Sequence, residues 1–327
     1  MAAALELREK TLNLTATTNA CRLVNSEGDG LPGLIVDQYA DYLAVQFLTL
    51  GISQHRETIL KLLGELRPCA GVFERSEASA IEKEGMKASV GLRSGADPPE
   101  PIEIRENGVR FLVDVRGGHK TGFYLDQREN RAALLPYVRG KRVLDCFTYT
   151  GGFALYAAVG GAAEITALDA SEKALALARR NLEQNSVSVP VTFNRADVPE
   201  ELRRLRRDGL KYDVIILDPP SFTQTESGVK KALRGYKDIN INALRLLEPG
   251  GILFTCSCSQ HITDELFDRM LSDAAAEAGR PVQILERRGQ AKDHPTLAAC
   301  PETRYLKCYI CAISDSKSQI SERGTQS

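Results

Sequence analysis

Tyr212 to Phe222 reads YDVIILDPPSF, and its Asp218-Pro219-Pro220 step is a place where this chain can do chemistry. The apolar run Val214 to Leu217 has the length and β-branched content of a buried strand. Two prolines end it, because each fixes φ and lacks an N–H for the ladder. The Asp218 carboxylate and nearby backbone carbonyls are thereby presented beyond the strand's carboxyl end, a surface suited to a flat, hydrogen-bonding ring. Taken alone, the same text is also an ordinary strand stop. A second cluster is Leu144-Asp-Cys-Phe-Thr-Tyr-Thr-Gly151-Gly152-Phe. Its glycines allow a tight strand-to-helix turn and close approach of a ligand, so Phe147, Tyr149, Thr150 and Gly151 are candidate contacts. Asp169, seventeen residues after Gly152, ends the next strand with Ala170 beside it. A carboxylate there can accept hydrogen bonds from both hydroxyls of a ribose. Asp197 follows a third strand and can accept a bond from an adenine amino group. G-x-G-x-x-G is absent, so the pattern indicates adenosine without the pyrophosphate cradle of a dinucleotide.

The elements that position these groups change character along the chain. Four segments are expected: an N-terminal arm at 1–17, a short helix or frayed end; a small α+β domain at 18–116; an α/β domain at 117–313; and a disordered polar tail at 314–327. In the small domain, strand-like runs (LIVDQY, YLAVQFLTL, CAGVFE, VRFLVDV) are separated by turns such as Asp29-Gly30 and Asn107-Gly108, with one amphipathic helix near Gln54–Glu65. Gly91 to Pro101, rich in Gly, Pro and Ser, reads as an exposed loop. After Val138 strands and helices alternate. Strands are expected at Arg142–Cys146, Glu164–Leu168, Val191–Asn194, Tyr212–Leu217 and Gly251–Ser257, with helices beginning near Gly152, Ser171, Pro199 and Val229. Repeated βα units imply a doubly wound parallel sheet that binds ligands at the carboxyl ends of its strands.

Composition narrows the setting. Hydrophobic residues make up 43% and charged residues 26% of the 327, and no apolar run approaches the roughly eighteen residues of a membrane span, so no membrane partner is expected. The start lacks the basic, apolar and small-residue regions of a secretory signal, which indicates a cytoplasmic protein. The eight cysteines are expected as reduced thiols. Cys308-Tyr-Ile-Cys311 sits in an apparent strand, where positions three apart face opposite sides, so no metal is expected there. A net charge of −1 leaves nucleic-acid binding to local basic patches.

Together, DCFTYTGGF, LDAS, RADV and LDPPSF resemble the ordered motifs of class I S-adenosylmethionine-dependent methyltransferases, which implies a Rossmann-like fold. HKTGFYLDQRENR (His119 to Arg131), RGYKDIN (Arg234 to Asn240), CSCSQH, DHP (Asp293 to Pro295) and the upstream SEGDGLPGLIVDQY resemble the bacterial large-subunit rRNA cytosine-5 methyltransferases over residues 18 to 313. That resemblance implies S-adenosyl-L-methionine as cofactor, large-subunit rRNA, naked or in an assembling subunit, as partner, and a possible homodimer. It also puts Phe123, Gln127 and Arg128 beside the cofactor's methionine end or adenosine. Members usually begin with a PUA RNA-binding domain, and this chain begins at what resembles the linker after it. RNA docking by the 18–116 domain is one expectation; a naturally short chain and an incomplete reading frame are the others.

The C5 atom of cytosine is a poor nucleophile, so a methyl group is not simply passed to it. A thiolate that adds to C6 makes the ring enamine-like at C5; methylation and loss of the C5 proton then expel the thiol. Cys256 and Cys258 lie two apart and face the same side of one strand. Cys258 is expected at the strand's end and Cys256 inside it, packed, and the resemblance also places the nucleophile at Cys258. Asp218 would hydrogen-bond N3 or the exocyclic amine and, with a raised pKa, donate a proton to N3, while also bordering the cofactor. Lys120, His261 or a water would take the C5 proton. Lys230, Lys231, Arg234 and Lys237 follow the Asp-Pro-Pro loop and are expected to meet RNA phosphates. Arg203, Arg204, Arg206 and Arg207 read more as a solvated helix face. The target base must leave its stack. A second reading is transfer to a base nitrogen, with Cys258 structural; a third is RNA binding without turnover.

Overall fold

The computed structural model describes residues 1–77, 81, 84–223 and 225–314; the tail expected from 314 onward lies, from 315, outside the described residues. The chain divides into two compact units. The first comprises Met1–Glu129 and Gln290–Arg304, the second Asn130–Gly289 and the chain from Tyr305 on.

The first unit holds a five-stranded sheet in the order β1 (Ala20–Asn25), β2 (Leu34–Tyr39), β3 (Tyr42–Phe47), β4 (Gly71–Ser76), β5 (Ser89–Gly95). All neighbours are antiparallel except β3 and β4. The parallel step is carried by helix α2 (Arg56–Leu66), whose Ile59 and Leu63 are buried with Leu23, Val36 and Val45. β6 (Ile102–Glu106) and β7 (Val109–Val113) form a hairpin turning at Asn107 and Gly108, with φ of 51° and 83°. Both values are positive, as the tight turn signalled by Asn-Gly requires.

One expectation is corrected in this unit, and one open alternative is decided. Gly91 to Pro101 is not wholly a loop: β5 runs through Gly95 and pairs with β4 from Ser76↔Ser89 to Gly71↔Gly95. Backbone pairing outweighs the weak strand propensity of a glycine-rich edge. Of the two readings of the N-terminal segment, the short helix is the one found, at α1 (Ala2–Glu6). Ala4 and Leu5 are buried, and Arg8, 1% exposed, sets its two Nη atoms 2.6 and 2.7 Å from the Asp29 carboxylate and donates to Arg22 O and Asp293 O. A buried arginine tolerates desolvation only with such partners.

The second unit is built on a seven-stranded sheet ordered β10-β9-β8-β11-β12-β14-β13. The strands are β8 (Arg142–Cys146), β9 (Glu164–Asp169), β10 (Val191–Arg195), β11 (Tyr212–Leu217), β12 (Leu247–Ser257), β13 (Val282–Arg288) and β14 (Lys307–Ile313). β8 to β12 are mutually parallel, and β14 runs antiparallel to β12 and β13. Leu144, Ile215, Leu217 and Leu253 are 0% exposed, each worth about 1.5–3 kcal/mol of burial. Helices α3 (Gly152–Val159), α4 (Glu172–Gln184), α5 (Val198–Arg207), α6 (Val229–Leu246) and α7 (Asp264–Ala278) follow the strands. Side-chain caps set several starts: Ser171, Asp197 and Thr263 accept from the N–H groups of Ala174, Glu200 and Leu266. The strand order reverses between β8 and β11, and the crevice of such a sheet opens at their carboxyl ends.

Candidate active site

At the carboxyl end of β8 the chain bends through an unusual loop. Phe147, Tyr149 and Gly151 have φ of 64°, 50° and 82°, so two aromatic residues sit in the left-handed region at a cost of roughly 1–2 kcal/mol each. The surrounding hydrogen bonds impose it. Thr148 Oγ1 and the Ala154 N–H both donate to Asp145 Oδ2, at 2.5 and 2.9 Å, and Asn181 Nδ2 donates to Thr150 O at 2.9 Å. The Tyr149 N–H reaches Asp169 Oδ2 at 2.8 Å, and Thr148 N–H reaches Leu168 O at 2.9 Å. A side chain at Gly151 would press on Ala178 at 3.1 Å.

Asp169 is half-buried at the end of β9 and also accepts the Ser171 N–H, at 2.9 Å on Oδ1. Each oxygen keeps a lone pair for a ribose hydroxyl. Ala170 beside it is exposed. Asp197 is exposed at the start of α5, where its Oδ1 caps the helix at 3.0 Å from Glu200 N; its place after a strand was expected, and this second task was not. Asp145 opens the DCFTYTGGF motif but was not singled out as a site residue, because it lies inside a buried strand. Burial pushes its carboxyl up to about 7, against the bonds from Thr148 and Ala154 and with Asp218 and Asp169 adding to the rise. Asp145 Oδ1 and Thr150 Oγ1 are buried polar atoms without a hydrogen-bond partner. Orphaned acceptors, a strained loop and a carboxylate at the next strand end fit a nucleoside-bearing ligand.

The adjacent strands β11 and β12 place the second pair. Asp218, half-buried, follows Leu217, and its N–H donates to Cys146 O at 3.4 Å. Cys258, half-buried, follows Ser257, and its Sγ lies 4.0 Å from Pro219 O. Cys256 is 0% exposed and aligned with Cys308 in β14. The later cysteine therefore lies at the Asp-Pro-Pro edge while the earlier one is packed in the sheet.

Phe123, Gln127 and Arg128 belong to the first unit and are buried there. The Phe123 ring packs on Phe111 with centroids 5.1 Å apart. Arg128 donates to both oxygens of Asp293, at 3.1 and 2.7 Å. Burial raises the Asp293 carboxyl, yet contacts with His294 and Arg128 hold it well below the usual range. Burial and Arg22 push the His294 imidazole down while Asp293 pulls it up, and Arg128 forms an ion pair with Asp293 at 2.7 Å. Lys120 is ion-paired with Asp126, and His261 is exposed.

Lys230, Lys231 and Arg234 are exposed on the first turns of α6, whereas Lys237 pairs with Glu277 at 2.9 Å. Arg203 pairs with Asp238, Arg204 with Glu201 and Asp208, and Arg206 donates to Asn242. Cys308 and Cys311 are buried free thiols. Among the described residues no group of three or more His, Cys, Asp or Glu is placed to hold a metal ion, and no helix is long and apolar enough to cross a membrane.

Comparison with known proteins gives three kinds of likeness. A family model described as S-adenosylmethionine-dependent methyltransferase matches residues 85–306. A protein of Aeromonas salmonicida named ribosomal RNA large subunit methyltransferase I is 50% identical over 287 residues, 88% of this chain and 72% of that one. Its namesake in Photobacterium profundum is 47% identical over 293 residues, 89% and 74%. A crystal structure of a protein complexed with SAH superimposes with a TM-score of 0.84 at 25% identity, covering 95% of this chain and 80% of the other.

Proposed function

The chain belongs to the S-adenosylmethionine-dependent methyltransferase family, and from that premise we propose that it forms 5-methylcytosine in large-subunit ribosomal RNA through a covalent Cys258 adduct. The observation that carries the reading is the thiol at the Asp-Pro-Pro strand end, 4.0 Å from Pro219 O. The relatives' name supports the RNA.

Phe147, Tyr149, Thr150, Gly151, Asp169, Ala170 and Asp197 would hold the cofactor, with Phe123, Gln127 and Arg128 assigned to it from the resemblance. When bound, the cofactor supplies a methyl group as an electrophile on its sulfonium sulfur. Cys258 Sγ, as thiolate, bonds to C6 of an unstacked cytosine, and the C5–C6 double-bond electrons move toward C5 and N3. Asp218 holds the N3 and amine edge and stabilises the charge that develops there. Once C5 carries the methyl group, removal of its proton re-forms the double bond and breaks the S–C6 bond, returning the thiolate. Exposed Lys230, Lys231 and Arg234 neutralise phosphates of the incoming strand, and the 18–116 domain docks the RNA in the cytoplasm.

Labelled cofactor and protein-free large-subunit rRNA, followed by nucleoside analysis, tests this. Label in 5-methylcytidine is expected, and Cys258→Ala should lose turnover by at least about a thousandfold with cofactor affinity retained. Label in methyladenosine or methylguanosine, with Cys258→Ala active, would establish base-nitrogen transfer instead.

A further inference from the structure

We propose that Tyr236, Ser259 and Ser221 form a hydrogen-bonded strut that fixes the position of the Cys258 turn relative to the Asp218 loop; the inference rests on the cysteine-adduct reading. Cys258 is flanked by Ser257 and Ser259, both 0% exposed. Ser259 Oγ lies 2.8 Å from the buried Tyr236 hydroxyl and 2.9 Å from Ser221 Oγ, in the Asp-Pro-Pro-Ser-Phe loop. Ser221 Oγ donates to Thr223 O at 2.6 Å. A hydroxyl has one proton to give, so the direction of the whole chain follows. Ser221 spends its proton on Thr223 O and accepts from Ser259, and Ser259 in turn accepts from Tyr236. Such a directional series polarises each bond along its length.

The strut is anchored at both ends. The Tyr236 ring packs on Phe222 of the same loop, with centroids 4.6 Å apart, and edge-on to Phe267. Gly235 admits Phe222, since a Cβ there would stand 3.1 Å from its ring. Burial raises the Tyr236 phenol above its ordinary value, so the hydroxyl keeps its proton. On the other side of Ser259, the buried Lys307 ammonium donates to Ser259 O at 2.9 Å and Ile262 O at 2.6 Å. The turn after the nucleophile is therefore held from its hydroxyl and from its backbone. Asp218 and Cys258 must act on one pyrimidine at once, and a misplacement of about 1 Å can cost about a hundredfold in rate. Tyr236, Ser259 and Ser221 are positioning residues for that geometry.

The test compares Tyr236→Phe, Ser221→Ala, Ser221→Thr and the double variant Tyr236→Phe/Ser221→Ala in single-turnover methylation of rRNA, with Cys258→Ala alongside. Tyr236→Phe and Ser221→Ala are each expected to slow turnover about tenfold, with cofactor and RNA dissociation constants within about twofold and melting temperatures recorded as the folding control. Because one break interrupts the series, the double variant should be no slower than the slower single. Ser221→Thr, which restores a hydroxyl at an exposed position, should regain most of the loss. Should Tyr236→Phe fail to fold, the Ser221 pair carries the test. Turnover by Cys258→Ala would sink the adduct reading itself. Inactive Cys258→Ala, together with single variants within twofold of the parent or losses that multiply in the double variant, overturns the strut alone.

Discussion

Asp218 and Cys258 each lie one residue beyond a strand, and this is why they were legible in the sequence. A polar residue where an apolar run stops has no packing role to explain it, and two such stops on neighbouring strands reinforce each other. Asp145 shows the opposite case. It stands within the apolar run of β8 and reads as core, yet it ties Thr148 and Ala154 into the loop. Its charge state gives a prediction. In the unfolded chain the carboxyl ionises near pH 4; in the folded chain burial pushes it up to about 7. The folded state thus retains this proton between those values, and the cost of releasing it grows across that window and is constant above it. Asp145→Asn is nearly isosteric, can still accept from Thr148 and Ala154, and escapes that cost. Its melting temperature relative to the parent should rise by several degrees from pH 5 to pH 8. Thermal unfolding at the two pH values checks this, and a difference independent of pH would mean that the carboxyl titrates normally. Tyr236 and Ser259 were equally hidden, because a hydroxyl chain across three segments leaves no spacing to read.

At the scale of elements, β8 and β11 and the starts of α3 and α6 fall where the sequence put them, since each is bounded by Gly, Pro or a charge cluster. β12 begins at Leu247, four residues before the expected Gly251, because Leu247 pairs with Tyr212 across an irregularity in register. β5 was misread and the N-terminal arm left between two readings because both are settled by distant partners: β5 by pairing with β4, the arm by Asp29 and Asp293. Asp197 combines two readings that a pair of variants separates. Asp197→Ala removes the α5 cap and should cost about 1 kcal/mol, roughly 2 °C or more in melting temperature. Asp197→Ser keeps a capping oxygen but shortens the side chain, so stability should hold while cofactor affinity falls several-fold. Calorimetry of cofactor binding decides; unchanged affinity in Asp197→Ser would leave Asp197 as a cap only.

For the whole molecule, alternating strands and helices specified the doubly wound sheet, but the antiparallel β13 and β14 extend it beyond what βα repetition alone implied. The −1 net charge says nothing of local patches, but position along the chain separated two of them: Arg203, Arg204 and Arg206 have local partners, while Lys230, Lys231 and Arg234 are exposed on α6. Replacing those three by Ala should weaken RNA binding across sequences and reduce the salt slope by about one for each phosphate no longer neutralised. Replacing Arg203 and Arg204 should leave the slope unchanged. Affinity titrations at several salt concentrations distinguish the patches, and equal slopes would reject the α6 surface. The central claim is chemical: Cys258 bonds to C6 and is released only when the C5 proton leaves. With 5-fluorocytidine in the rRNA, C5 carries fluorine in place of that proton, and release is blocked. Denaturing gel electrophoresis after incubation with cofactor should then show a protein–RNA adduct, mapped by mass spectrometry to Cys258 and absent from Cys258→Ala. Methylated RNA with no adduct, or an adduct retained in Cys258→Ala, would contradict the account.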